Sequence, residues 1–305
     1  MDDIKLYIHK LICELPIHMK NRDTPLKMDL ILSGGAFNGS YTLGSLFFLK
    51  EMEKQNYIKI NKISTCSISA LIGVLYLLDK LDVMYDNYNI FYNVFKDTKK
   101  LTTLLQIDKY IQILPNELLN INHKLYISYY NIRKRKKIIK CYYKNANDVY
   151  SSIIKSCYLP FLIDSNILYK NKYIDGITPY IFKSGRGVKK LYIDIICCGK
   201  LFNIFNVKYE YCNIHRIMTG ILDIHWFFIK DFNSTQMCSF LHNWTTLDVL
   251  RNYIIVFIEK IIVTILFIYI LFDNILIYLR LKNKLYMFCS NIIYFLIEQI
   301  IKNNI

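Results

Sequence analysis

The sequence predicts an α/β protein with a mainly parallel central sheet, followed by a hydrophobic helical C-terminal region. A strand–turn–helix pattern occurs twice within about 50 residues near the amino terminus, and the first of its strands, 28–32, is an apolar run. Apolar strands of this kind are typical of parallel sheets that are buried on both faces. Beyond Trp226 the composition changes: the last 80 residues contain no Gly or Pro and are dominated by Ile, Leu, Phe and Tyr.

The composition limits the class of protein. Of 305 residues, 53% are hydrophobic and 21% are charged, which excludes intrinsic disorder. The net charge of +15 predicts attraction to anionic surfaces, either lipid headgroups or nucleic acid. The nine cysteines show no CxxC spacing, which argues against a thiolate zinc site, and their odd number is typical of reduced thiols in the cytosol. The acidic amino terminus is unlike a secretory signal, so we do not expect secretion.

The first strand–turn–helix unit begins with the apolar run 28–32, continues through a glycine turn, and becomes helical to about Lys54. In the second unit, 58–64 is the predicted strand, 65–69 a tight turn of small residues, and 70–78 an apolar helix. An apolar strand that leads through a tight turn into a helix is the start of an α/β unit. Two such units in succession favour a parallel sheet.

The middle of the chain carries weaker signals. Residues 81–127 are rich in Tyr and Leu and mostly helical in pattern. The basic run 133–137, within 131–140, predicts a solvated loop, and attraction to anionic lipid is the functional alternative. The further predicted elements are a helix capped by Asp148 and ending near Tyr158, a hairpin over 167–169 and 173–174, and a strand over 191–197.

Two apolar stretches, 261–272 and 285–301, make up much of the C-terminal region. The first is shorter than the roughly 20 residues that span a bilayer, and extending it brings in Glu259 and Lys260. Three interpretations stay open: helices that lie in or span a membrane, helices that pack on the domain as a cap, and an oligomer interface. The basic residues between the stretches, which suit a headgroup layer or any solvated loop, are Arg280, Lys282 and Lys284.

A glycine-rich loop, GGAFNG from Gly34 to Gly39, follows the first predicted strand. The backbone N–H groups of such a loop can converge at a helix amino terminus and bind a phosphate or a developing oxyanion. A tight strand-to-helix turn produces the same pattern. The loop does not match GxGxxG, which argues against a dinucleotide site, and it lacks the Gly-Lys-Ser/Thr of a Walker A loop.

The second candidate is the turn TCSIS, centred on Ser67. A nucleophile at a sharp strand-to-helix turn is lifted clear of its neighbours, and small residues are usually needed two positions to either side, hence G-x-S-x-G. Thr65 and Ser69 occupy those positions here; Ser69 is small, whereas Thr65 is β-branched and crowds the turn. A serine-rich helix cap and a competing nucleophile, Cys66, are the alternative interpretations.

The third candidate is Asp175-Gly176, at the end of the predicted hairpin. An aspartate there can accept or orient the proton of a serine, and Gly lets the chain turn tightly behind the carboxylate. By itself, Asp-Gly is ordinary turn chemistry.

The order of these motifs resembles that of the patatin-like phospholipase family. Residues 30–44 resemble the family's first strand and oxyanion loop, and 63–73, ISTCSISALIG, resemble its nucleophile elbow and following helix. Residues 156–160 are similar to its Ala-Ser-x-x-x-Pro region, and 173–176 to its Asp-Gly-Gly/Ala motif. The resemblance covers residues 28–200, and the shared order and spacing make it more specific than any single motif.

The resemblance implies a three-layer patatin-like fold and a Ser-Asp dyad without histidine, in which Ser67 is the nucleophile and Asp175 its partner. The chain departs from the family's pattern at five positions. Ala36 replaces the third loop glycine, and Asn38 replaces a basic residue. Thr65 and Ser69 replace the two elbow glycines, and Ile177 replaces the Gly or Ala after Asp-Gly. The other implied site residues are the oxyanion-hole positions Gly34, Gly35 and Ala36 and the supporting motif positions Gly39, Thr65, Ser69 and Gly176.

The resemblance implies a lipid acyl hydrolase of the phospholipase A type, which cleaves ester-linked fatty acyl chains through an acyl-serine intermediate. We expect no cofactor and no metal, because His215 and His225 are not at the i, i+4 spacing of a metal site. The expected partners are a phospholipid or other acyl-ester lipid and a membrane surface, and not nucleic acid. The alternative, favoured by the replaced elbow glycines, is a catalytically inactive protein of this fold that binds lipid or a membrane.

The predicted organisation is an N-terminal helical extension over 1–27, a patatin-like acyl hydrolase domain over 28–225, and a hydrophobic helical region over 226–305. We expect the last of these to associate the protein with the cytoplasmic face of a membrane.

Overall fold

A sheet with helices packed against it organises the chain, in a computed structural model that describes residues 2–183, 187–196 and 213–278, together with 292 and 295. The described helices and strands, in chain order, are α1 (Asp2–Cys13), α2 (Ile17–Lys20), β1 (Leu26–Leu32), α3 (Gly39–Lys54), β2 (Ile58–Cys66), α4 (Ile68–Leu77), α5 (Leu81–Thr98), α6 (Leu118–Ile121), β3 (Leu125–Asn131), β4 (Lys136–Lys140), α7 (Ala146–Ser156), β5 (Tyr173–Asp175), β6 (Lys189–Ile193), α8 (Ile214–Ile229), β7 (Cys238–Phe240) and α9 (Thr246–Tyr278).

The sheet has a parallel centre and antiparallel edges. Among the described residues its strand order is β4-β3-β2-β1-β6-β7, and β5 pairs with β3 beside this path. The four strands β3, β2, β1 and β6 are mutually parallel, whereas β4, β5 and β7 are antiparallel to their neighbours. The predicted α/β class is therefore confirmed, and the parallel arrangement holds for the centre of a mixed sheet.

The two faces of the sheet pack against different elements because successive side chains of a strand point in opposite directions. Leu30 and Leu32 of β1 belong to the main core, which the helices complete. Ile31, between them, packs on the other face with Phe182 and Tyr192. The indole of Trp244 lies edge-on to Tyr192, 5.3 Å between ring centroids, so the segment before α9 covers this second face.

Helix α8 is part of the α/β domain. A Cβ added to Gly44 of α3 would lie 2.0 Å from the Ile217 carbonyl oxygen, and one added to Gly220 of α8 would lie 2.0 Å from the Tyr41 carbonyl oxygen. The two helices therefore meet backbone to backbone, which only glycine permits at these positions. Since β7 also joins the sheet, the domain continues through Phe240, and the predicted boundary at 225/226 falls inside α8.

The N-terminal extension is helical and packs on the same core. Four apolar residues of α1 are buried at helical spacing: Ile4, Ile8, Leu11 and Ile12. β1 begins at Leu26, two residues before the predicted start of the domain at 28.

Several predicted elements need correction in the middle of the chain. The segment 81–127 is helical over α5 and α6, but its last residues belong to β3, a Tyr- and Ile-rich strand buried along most of its length. The basic run does not form a loop throughout, because β4 begins at Lys136 and pairs with β3; residues 133–136 are exposed, as predicted. Tertiary pairing overrode the local pattern in both cases.

Three further predictions are partly right. The cap of α7 is Asn145, whose side chain accepts from the Asp148 N–H, so Asp148 lies in the first turn instead of capping it. The predicted hairpin at 167–174 is reduced to a single bridge between Tyr169 and Tyr173, and β5 pairs with β3 instead. The predicted strand 191–197 corresponds to β6, which ends at Ile193, and residue 197 lies outside the described residues.

The C-terminal region contains the long helix α9, in which Thr246–Leu271 is long and apolar enough to cross a membrane. The predicted stretch 261–272 lies within it. The second stretch, 285–301, lies outside the described residues except for 292 and 295, as do the basic residues Arg280, Lys282 and Lys284.

Candidate active site

Ser67 occupies a sharp turn between β2 and α4. The strand extends through Cys66 and the helix begins at Ile68, so Ser67 alone makes the connection that was predicted over 65–69. Its backbone angles, φ 54° and ψ −139°, lie outside the regions that ordinary L-residues populate. A residue held in such a conformation at the end of a parallel strand is typical of a nucleophile elbow.

The two residues that replace the elbow glycines are both accommodated. The methyl group of Thr65 lies against Gly73 of α4, where an added Cβ would be 2.8 Å from Thr65 Cγ2. The crowding expected from Thr65 is therefore relieved by a glycine six residues beyond the elbow. The Ser69 hydroxyl donates a 2.6 Å hydrogen bond to the Ser33 carbonyl oxygen, which fastens the start of α4 to the end of β1.

Strand β3 brings Asp175 to the elbow. Its residue Ser128 pairs with Cys66, and the next residue, Tyr129, pairs with Asp175. Strand β5 therefore pairs with the part of β3 that lies beyond the end of β2. This arrangement brings Asp175, at the end of β5, next to Ser67, which follows the end of β2. Gly176 is required directly behind the carboxyl, because an added Cβ would lie 2.1 Å from the Ser128 carbonyl oxygen.

The Asp175 carboxyl is almost completely buried. Its Oδ1 accepts a 2.7 Å hydrogen bond from the Ile177 N–H. Its Oδ2 has no partner with good hydrogen-bond geometry among the described residues. Burial raises the pKa of Asp175 to about 6, and hydrogen bonding from the Ser67 hydroxyl and the Ile177 N–H opposes that increase. The Ser67 hydroxyl therefore approaches the carboxyl without completing a good hydrogen bond, which is common in substrate-free sites.

The glycine-rich loop passes directly beside Ser67. A Cβ on Gly34 would be 2.6 Å from the Ser67 Cβ, so any side chain there would push the loop away from the nucleophile. A Cβ on Gly39 would be 2.9 Å from two side-chain carbons of Ile68, which brings the starts of α3 and α4 together in the same way.

The donors of the predicted oxyanion hole are not equivalent. The Gly34 N–H interacts with the sulfur of Cys66, whereas the N–H groups of Gly35 and Ala36 have no acceptor among the residues that the structure describes. Ala36 holds a φ of 43°, in the left-handed region that glycine adopts most readily. Gly35 and Ala36 are therefore the two better candidates for binding an oxyanion.

An apolar cavity opens beside the nucleophile. Its wall near the nucleophile includes Ser67 and Ser40, and the rest is mostly apolar, from the glycine-rich loop, α5 and the segment after α5. Representative lining residues are Ala36, Met84, Phe91 and Leu104. Such a cavity can hold an apolar chain attached to a carbonyl group at Ser67.

The thiol of Cys66, the alternative nucleophile, is fully buried. Burial and the nearby charge of Asp175 raise its pKa well above the ordinary value. The reactive thiolate is therefore disfavoured, and Ser67 is the better candidate.

Two important polar groups were missed by sequence reasoning as site residues. The sequence gives no role to Ser156 beyond its place in the motif 156–160. In the structure its hydroxyl accepts a 2.9 Å hydrogen bond from the Ser67 N–H and donates a 2.7 Å hydrogen bond to the Ser128 carbonyl oxygen. Arg216, on α8, is fully buried, and its guanidinium is 3.5 Å from the Asn38 side-chain oxygen. A positive charge thus reaches Asn38 from a part of the chain 178 residues away.

A buried ion pair lies close to the Asp175 turn. Lys137 of β4 is 2.8 Å from Glu259 of α9, and both side chains bind the hydroxyl of Thr178. The charge of Lys137 lowers the pKa of Asp175 and that of Glu259 raises it. In the sequence, Lys137 was only one member of a basic run, and Glu259 was only a charged residue that interrupted an apolar stretch.

Comparison of the chain with protein-family models gives no match, and comparison with curated proteins gives none. Among the described residues, no group of three or more His, Cys, Asp or Glu side chains is placed to hold a metal ion.

Proposed function

We propose that this protein is a lipid acyl hydrolase of the phospholipase A type, with a three-layer patatin-like fold. The observation that carries the proposal is the register of β3, which pairs consecutive residues with the end of β2 and with Asp175. This register supports a Ser67–Asp175 dyad beside a glycine-rich loop and an apolar cavity. We further propose that the protein acts at a membrane, to which the apolar helix α9 attaches it.

The proposed reaction has two acyl-transfer steps. Asp175 takes the proton as Ser67 Oγ attacks the ester carbonyl carbon, and the N–H groups of Gly35 and Ala36 stabilise the oxyanion. The protonated carboxyl then gives its proton to the departing alcohol, which leaves an acyl-serine. A water molecule, deprotonated by Asp175, attacks the acyl-serine, and Asp175 then returns the proton to Ser67 Oγ as the bond between Oγ and the acyl carbon breaks and the fatty acid is released. With a pKa of about 6, Asp175 is mostly ionised at pH 7 and can act as the base.

The apolar lining of the cavity supports a substrate that carries an apolar acyl chain. An acyl chain that fills the space between the glycine-rich loop and α5 would exclude water from Ser67 and Asp175. A carboxylate is a weak base towards an alcohol, and it becomes more effective in such a dry, preorganised site.

The direct test is hydrolysis of phospholipid vesicles and of p-nitrophenyl esters by the purified full chain. We expect Ser67→Ala to abolish the activity with the fold unchanged by circular dichroism. Ser40→Ala is the matched control, because Ser40 lines the same cavity and has no role in the proposed chemistry. Equal activity of the wild type and Ser67→Ala overturns the assignment of Ser67. A wild type that binds lipid and hydrolyses none of these esters favours a catalytically inactive lipid-binding protein instead.

A further inference from the structure

Helix α9 presents two different faces, and only one of them packs on the α/β domain. On the inner face Arg251 is 2.9 Å from Asp194, Glu259 pairs with Lys137, and Val263 packs in a buried cluster with residues of β3 and β5. The Arg135 guanidinium lies 4.8 Å from the ring centroid of Phe267. These contacts run from 251 to 267, about 24 Å of helix, so α9 lies along the domain.

Glu259 fixes this arrangement. Its side chain is 1% exposed and is bound by Lys137 and Thr178. Burial, and then hydrogen bonding to Glu259, raise the pKa of Tyr130. Moving the ionised carboxylate of Glu259 from this site into lipid would cost a large free energy. Removing Lys137 from beside the buried carboxylate would also be strongly destabilising. The helix therefore keeps Glu259 on the domain side.

The outer face of α9 is apolar and exposed. Large side chains repeat there at helical spacing, and each is more than 40% exposed: Leu250, Tyr253, Ile254, Phe257, Ile261 and Ile265. A continuous stripe of this size on a water-soluble domain marks a surface that binds something apolar.

A membrane-spanning orientation conflicts with the inner-face contacts. The stretch that is long enough to span, Thr246–Leu271, is the same stretch that carries Arg251, Glu259 and Val263. If it crossed the bilayer with these contacts intact, the charged turn 133–136 and part of the sheet would lie in hydrocarbon.

We propose that the outer face of α9 docks the protein on an anionic phospholipid membrane, with the helix lying in the plane of the interface. The anionic surface is indicated by the exposed basic turn Arg133-Lys134-Arg135-Lys136 beside Phe267, which supplies charge of the complementary sign. A helix with one apolar and one polar, domain-bound face is suited to the boundary between headgroups and acyl chains. The proposal deepens the proposed function, on which it rests for the lipid nature of the substrate.

The docking test uses Ser67→Ala, so that vesicles stay intact, and measures co-sedimentation with phosphatidylcholine vesicles with and without phosphatidylserine. We expect stronger binding with phosphatidylserine, and a loss of about tenfold or more when Phe257→Glu and Ile261→Glu are combined. Leu119→Glu is the matched control, since Leu119 is a highly exposed apolar residue on α6, and it should bind as the parent does. Unchanged vesicle binding by the α9 variant overturns the proposal, and so does a dimer in solution that only the α9 variant dissociates.

The orientation of α9 is tested by measuring how deeply two positions on the helix lie in the bilayer. Tyr253→Trp and Ile265→Trp place probes 12 positions apart, and their quenching by lipids brominated at different acyl positions is measured against the parent. An in-plane helix places both probes at the same shallow depth, whereas a spanning helix separates them by about 18 Å. Unequal depths overturn the proposal. Because these measurements do not depend on catalysis, docking without ester hydrolysis contradicts only the proposed function, and hydrolysis without docking contradicts only this inference.

Discussion

The hydroxyl of Ser156 accepts a 2.9 Å hydrogen bond from the backbone N–H of Ser67. The same hydroxyl donates to the Ser128 carbonyl oxygen, so one buried side chain ties the elbow to β3. Since Ser67 is held at a positive φ, a fixed partner for its N–H helps to maintain the strained conformation.

Ser156→Ala should therefore reduce both stability and activity. It leaves a buried donor and a buried acceptor unpaired, which costs about 1–3 kcal/mol of unfolding free energy, and it loosens the elbow. Ser152→Ala is the matched control: Ser152 is equally buried on α7 but bonds only to the Asp148 carbonyl oxygen of its own helix. Urea unfolding and kcat measured on both variants check this, and equal effects at the two positions would contradict the role of Ser156.

Adjacent glycines of the loop should respond differently to alanine. Gly34→Ala forces a Cβ to within 2.6 Å of the Ser67 Cβ, and displacing the loop by an ångström costs about 10² in kcat/KM. Gly35→Ala meets side-chain atoms of Ile195 at 3.1 Å and of Asn38 at 3.3 Å, which need to shift by only a few tenths of an ångström. We expect Gly35→Ala to keep most of its activity in an ester-hydrolysis assay. The reverse order would mean that the loop does not hold the oxyanion as described.

The pH dependence should report the buried aspartate. Because Asp175 acts as a base only when ionised, kcat/KM should rise with pH through a midpoint near 6. Lys137→Met should move the midpoint to higher pH, since the charge of Lys137 lowers the pKa of Asp175, and Glu259→Gln should move it to lower pH. A midpoint that neither substitution moves would assign it to another group.

Asp175→Asn should abolish activity and increase stability at high pH. The pKa of Asp175 is about 6 in the fold against 3.8 ordinarily, so its contribution to stability is fully present below about pH 3.8 and is lost as pH rises through 6. The ionised carboxylate then costs up to about 3 kcal/mol, which a neutral amide avoids. Urea unfolding at pH 8 and pH 5 measures this gain, which should be larger at pH 8. Asp97→Asn, at an exposed aspartate of α5, should show no such gain, and an equal gain from both variants would refute the explanation.

Locally encoded features of the site were predictable from the sequence. The apolar strands, the glycine turn after β1 and the small residues around Ser67 act through backbone conformation within a few residues. For the same reason the end of α3 at Lys54 and the start of β2 at Ile58 agree with the prediction. The order of the motifs, taken with the family resemblance, was enough to name Ser67 and Asp175 as partners across 108 residues.

Long-range pairing decided what the sequence left open. The helical pattern of 81–127 runs into residues 125–131, although their Tyr residues favour a strand; these residues become β3 because β2 and β5 both pair with them. The same applies to Glu259, whose position in an apolar stretch suggested only an interruption until β4 placed Lys137 beside it, 122 residues away in sequence.

The sequence by itself determined the α/β class and the two strand-to-helix turns, because each depends on interactions between near neighbours in the chain, whereas the candidate dyad was named from motif order and a family resemblance. Only the tertiary structure decided that Ser67 and Asp175 meet along β3, that α8 and β7 belong to the domain, and that one face of α9 is covered while the other is exposed. The physical reason is that strand register, burial and ion pairing join residues far apart in sequence. Their free energy is realised only when the whole chain is folded.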